Sequence, residues 1–162
     1  MSSLRGSHTL EFCDRLDKVC KLLQSIIVHN SKVTALCKAM QCFRTLCNIL
    51  GLIFIDDYKS AKKILPSGKC PFEKNSPKKE IVKHVISFYK ETAESFYTFA
   101  QQSFMTKKNT GDGETFYLHS VRFYFPVILQ RTYDMHKLGV GVFTVEGFEY
   151  KNYSSKRAIH EH

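Results

Sequence analysis

The chain has 162 residues, of which 43% are hydrophobic and 24% charged. That length suits one domain, and that composition excludes disorder over most of it. The net charge of +9 favours a polyanionic partner. The longest apolar run, residues 46–55, is about half of what a bilayer-spanning helix needs, and the first residues hold no apolar signal-peptide core. The expectation is a soluble, intracellular protein, nuclear or cytoplasmic rather than secreted, with no membrane association.

The first predicted helix covers about Thr9 to Val28, where Cys13, Leu16, Cys20, Leu23 and Ile27 recur at spacings of three and four. Asn30 and Ser31 offer cap chemistry for a second helix. Its apolar face is Val33, Leu36, Met40, Phe43, Cys47 and Leu50, and Gly51 interrupts it. Gly51–Ile55 reads either as the helix end or as a short buried strand, since periodicity cannot separate these over so few residues. Asp57 to Leu65 reads as a short helix, and Pro66 to Asn75 as a loop.

Ser76 followed by Pro77 predicts a helix start, with Pro at the first helical position. The long helix that follows presents Ile81, Val85, Phe88, Thr92, Phe96, Phe99 and Ser103 on one face, widened by Val82, Tyr89 and Ala100. Lys107 to Gly113 reads as a second loop. A helix from about Thr115 to Lys137 contains Pro126, which removes a backbone donor and crowds the Arg122 carbonyl, so a kink or break is expected. Gly139 and Gly141 are expected to loosen the chain. Thr144 looks like the cap of a last helix carrying Glu146 and Glu149 in its first turns, and Arg157–His162 carries no helix-stop signal. The fold class is therefore mainly α, an irregular bundle of five to six helices. Residues 1–162 read as a single helical domain, expected to be a fragment of a larger protein.

Charge is uneven. Between Lys59 and Lys90 nine lysines stand against Glu73 and Glu80 alone. Lys62, Lys63, Lys78, Lys79 and Lys83 are the candidate DNA-binding residues, because lysines clustered on one surface displace counterions from phosphates. The bland alternative is a solvated loop with the polar faces of its flanking helices. The six cysteines include no CxxC pair, and five lie inside apolar helical patterns, which reads as reduced core thiols. Cys37, Cys42 and Cys47 are spaced by five, which does not keep ligands on one helical face. Asp56 and Asp57 end an apolar run that superficially resembles an acid-bearing strand, but their preferred reading is as caps of the next helix.

The segment Tyr117–Asn152 is the most informative. Tyr117-Leu118-His119, Phe125-Pro126-Val127-Ile128, Leu138-Gly139-Val140-Gly141 and Val145-Glu146-Gly147-Phe148-Glu149-Tyr150-Lys151-Asn152 succeed one another in it. This stretch resembles the C-terminal end of the catalytic core of recombination-activating and Transib-type DDE transposases. The resemblance implies that Glu149 holds the place of the third catalytic acid and metal ligand, with Glu146 as its neighbour. It implies Mg or Mn in a complete parent site and none for the isolated chain. It places His119 on the first of two histidines that help hold a structural zinc, while Tyr124 occupies the place of the second and no CxxC completes the set. The helical bundle would then be the helical insertion and C-terminal part of a ribonuclease-H-like core. The expected function is a transposase-derived, DNA-associated fragment that is inactive alone. The alternative is a helical interaction or structural module with no nucleic-acid role.

Overall fold

A computed structural model describes residues 6–26, 30–103 and 116–143. Helices dominate, and no strand occurs among the described residues. The elements are α1 (Gly6–Ile26), α2 (Ser31–Leu50), α3 (Tyr58–Ile64), α4 (Lys78–Ser103), α5 (Phe116–His119) and α6 (Phe125–His136). Single 3₁₀ turns lie at Ser67–Lys69 and Val140–Phe143. The mainly α expectation holds. The Lys107–Gly113 loop and the last helix from Thr144 lie outside the described residues.

Asn30 caps α2 as its chemistry suggests: its side-chain oxygen accepts from the N–H groups of Lys32 at 3.0 Å and Val33 at 3.3 Å. α2 and α4 pack antiparallel. Phe43 meets Phe96 at 5.9 Å between ring centroids, and Lys38, earlier on α2, lies over the Phe99 ring, later on α4. The buried core joins Leu46 and Ile49 of α2 to Val82, Val85 and Tyr89 of α4 and to Leu129 and Tyr133 of α6. α1 covers the other side of α2, with Cys20 buried.

The buried face of α4 is rotated from the expected one. Ile86 and Ala93 are buried, whereas Phe88, Phe96, Phe99 and Ser103 are only half-buried. The rotation follows from packing on two sides, against α2 and against α6, so the stripe widens past a single row of 3.6-residue periodicity. Ser76 also takes another role. Its hydroxyl accepts from the Glu73 N–H at 2.8 Å, and its own N–H donates back to the Glu73 carbonyl, so it closes the preceding loop. Pro77 stands just before α4, and its carbonyl accepts from the N–H groups of Glu80 and Ile81.

Pro126 neither breaks nor sharply ends its helix. Instead, a π turn at Ser120–Tyr124 joins α5 to α6. The Phe125 N–H reaches back to the Ser120 carbonyl rather than to that of Val121. In this wider register the next donor would come from residue 126, and proline has none. The Val121 carbonyl is therefore left without a backbone partner by the turn, and the buried Tyr89 hydroxyl donates to it at 3.0 Å. Burial raises the ionisation of that hydroxyl well above its ordinary range, so it remains a donor at any physiological pH. Tyr89→Phe is expected to cost about 1–2 kcal/mol in urea denaturation, because it strands the carbonyl while conserving the ring. The hydroxyl of Ser120, buried in the same turn, has no hydrogen-bond partner among the described residues.

Gly139 and Gly141 do not loosen the chain. They clasp it: the Gly139 N–H donates to the Ile53 carbonyl at 2.6 Å, and the Gly141 N–H to the Leu52 carbonyl at 3.1 Å. Gly51 caps the C-terminal end of α2, as the helix-end reading has it, no strand forms at residues 51–55, and the turn there offers the carbonyls that receive this second segment. The clasp fixes the end of α6 beside the start of α3, where the Tyr133 hydroxyl donates to the Asp56 carboxylate at 3.3 Å.

Candidate nucleic-acid interface

The lysine-rich run folds around α3, its following loop and the start of α4. α3 begins where Asp57 caps it: the carboxylate accepts from the Ser60 N–H at 2.9 Å and from the Ser60 hydroxyl at 2.8 Å. These two bonds hold the Asp57 carboxyl below its ordinary value of 3.8. The cap's contribution to stability is therefore complete above that ordinary value, and it is lost as pH falls through the lowered one. The capping reading of Asp57 is borne out. Asp56 is instead held by Tyr133, whose own ionisation is raised by burial first and by the Asp56 charge second.

Between α3 and the start of α4 lies a groove of about 530 Å³. Lys59, Lys74 and Lys78 line it together with Asp56 and Asp57. Asn75 and Ser76 close the end from which α4 begins. The 26-residue α4 thus directs its positive end toward the groove, adding to the three ammonium groups. Both carboxylates on the wall are already engaged, Asp57 by Ser60 and Asp56 by Tyr133.

Of the five candidate DNA-binding lysines, only Lys78 lines this groove. Lys79 and Lys83 are exposed on one face of the first turns of α4, four residues apart. Lys62 and Lys63 are exposed in the last turn of α3, and the Lys62 ammonium lies 5.6 Å from the Tyr58 ring centroid. Lys69 pairs with Glu91 at 3.0 Å, and Lys90 lines a separate groove against α6. Lys59 and Lys74 were not singled out by sequence. The usable signal was positional: each lies within a few residues of a helix start, marked by Asp57 and by Ser76-Pro77.

Glu149 and Glu146 lie outside the described residues. Two-metal chemistry needs a set of converging carboxylates. Among the described residues no group of three His, Cys, Asp or Glu side chains gathers, and Asp56 and Asp57 are spent on Tyr133 and Ser60. The described residues do not fit a metal pair. His119 packs against the rings of Phe123 and Tyr124, at 4.8 and 5.1 Å between centroids.

Cys20, Cys37, Cys42 and Cys70 are free thiols; Cys20 and Cys37 are buried, as the core reading expects, Cys42 and Cys70 are half-buried, and the Cys13 side chain lies outside what the structure describes. Burial pushes the Cys37 thiol up to about 12, helped by its hydrogen bond with Cys20, so it is held protonated. No described helix is long and apolar enough to cross a membrane. Comparison of the chain with protein-family models, with curated proteins and with solved structures finds no match.

Proposed function

We propose that this chain is a transposase-derived, DNA-associated helical module that contacts phosphates through the groove between α3 and α4 and is catalytically inactive alone. The observation that carries this reading is the convergence of Lys59, Lys74 and Lys78 on one groove at the positive end of α4. A phosphate at that position meets mobile ammonium groups and a fixed helix dipole together, which is how sequence-independent backbone contacts are made. In the parent context, Glu149 supplies one of three catalytic carboxylates, and Mg or Mn belongs to that complete site. The resemblance of Tyr117–Asn152 to the transposase segment supports this part of the reading.

Asp57 provides the experiment. Asp57→Asn retains a capping oxygen for the Ser60 N–H but removes a negative charge from the groove wall. A charge about 4 Å from a phosphate is worth about 1 kcal/mol in a water-like medium, so duplex DNA is expected to bind up to about fivefold more tightly. Fluorescence anisotropy with a short labelled duplex at low salt measures this. Unchanged affinity in a variant of unchanged melting temperature would place the DNA elsewhere.

A further inference from the structure

A second groove, of about 610 Å³, runs between α4 and the π turn with α6. Its floor is apolar, made by Ile86 of α4 and by Phe123, Pro126 and Val127. Phe123 and Val127 remain 46% and 48% exposed, a large solvent cost for side chains set in a concave surface. The rim is basic. Lys90 and Arg131 stand exposed along it, and the half-buried Arg122 also lines the groove.

Arg122 is fixed in place. Its guanidinium donates to both Glu94 oxygens, at 3.1 and 3.2 Å, and lies 4.0 Å from the Tyr97 ring centroid and 4.7 Å from that of Phe123. Among the described residues Glu94 is the only carboxylate lining this groove, and that contact occupies it. That pairing neutralises Arg122, so Lys90 and Arg131 supply the positive charge that faces an anionic group docking in the groove.

We propose that this groove docks a short acidic and aliphatic segment of a partner protein. Its aliphatic side chains fill the space over Phe123, Pro126 and Val127, and its carboxylates meet Lys90 and Arg131. The charge pattern selects this occupant. A basic segment meets like charge at both rims, and a phosphate backbone has nothing to set against the apolar floor. The volume suits a few large side chains, within the usual range of small recognition pockets. The site is distinct from the α3–α4 groove, so its failure leaves the DNA reading standing, and the reverse also holds.

The test titrates the full chain against a labelled peptide of about 12 residues in which leucines at helical spacing are flanked by aspartates and glutamates. Val127→Glu, which puts a charge on the floor, is expected to weaken binding at least tenfold. The double variant Lys90→Glu, Arg131→Glu is expected to weaken it by a similar factor and to abolish its salt dependence. The second variant touches only the exposed rim and keeps the test decisive if the first fails to fold. A peptide with the same charges but serines for leucines is expected not to bind. The triple Lys59→Ala, Lys74→Ala, Lys78→Ala is expected to bind the leucine peptide normally. Equal binding of both peptides, full binding by the rim variant, or a loss of duplex DNA rather than peptide on Val127→Glu would each overturn the proposal.

Discussion

Gly141→Ala is expected to destabilise the chain by about 3 kcal/mol, which is a large part of the stability of a domain this size. A Cβ there would lie 2.3 Å from the Gly51 carbonyl oxygen and 2.6 Å from that of Leu52. Gly139 is as tight, with 2.1 Å to the Leu52 oxygen. Neither glycine has a positive φ, so the requirement is for space and not for left-handed backbone. The obstructing atoms are backbone carbonyls, which no rotamer change can move aside. The Leu52 carbonyl is also the acceptor of the Gly141 N–H, so relieving the clash pulls that bond of the clasp apart. Urea denaturation measures the loss. Gly68→Ala, where a Cβ would meet nothing within 4 Å, is the control and is expected to stay within about 0.5 kcal/mol of the parent chain. A Gly141→Ala chain with an unchanged midpoint would mean that the two segments are not held in register.

The second large effect is on binding. Replacing Lys59, Lys74 and Lys78 together by Ala is expected to weaken duplex DNA by about a hundredfold near 0.1 M salt, because each phosphate contact releases a counterion. The three ammonium groups line one groove, so a short run of phosphates can meet all of them at once. Lys18, Lys32 and Lys38, changed to Ala together, remove the same charge from α1 and α2 and are expected to cost only a few-fold through the general field. Equal losses from both triples would reduce the binding to net charge.

Much of the fold was legible because helix starts and apolar periodicity are local properties. The Asn30 and Asp57 caps, the end of α2 near Gly51 and the long α4 all follow from neighbours in the chain. The errors lie where a distant segment decides the outcome. Pro126 signals a lost donor, but whether the helix breaks or widens depends on Tyr89, 32 residues before Val121, being placed to satisfy the carbonyl. Gly139 and Gly141 carry no local sign that residues 51–53 will approach them. The candidate site was legible as a charged run but not as a groove. Lys59, Lys74 and Lys78 converge only once α3 packs beside α4, whereas Lys62, Lys63, Lys79 and Lys83 share the run without lining that groove.

The most direct test of DNA association through the α3–α4 groove is the slope of log affinity against log salt concentration for a short duplex. Three groove contacts predict a slope steeper by about 2.7 in the parent chain than in the Lys59→Ala, Lys74→Ala, Lys78→Ala variant. The α1–α2 control triple is expected to keep the parent slope. Identical slopes for the parent chain and the groove triple would contradict phosphate contact in this groove.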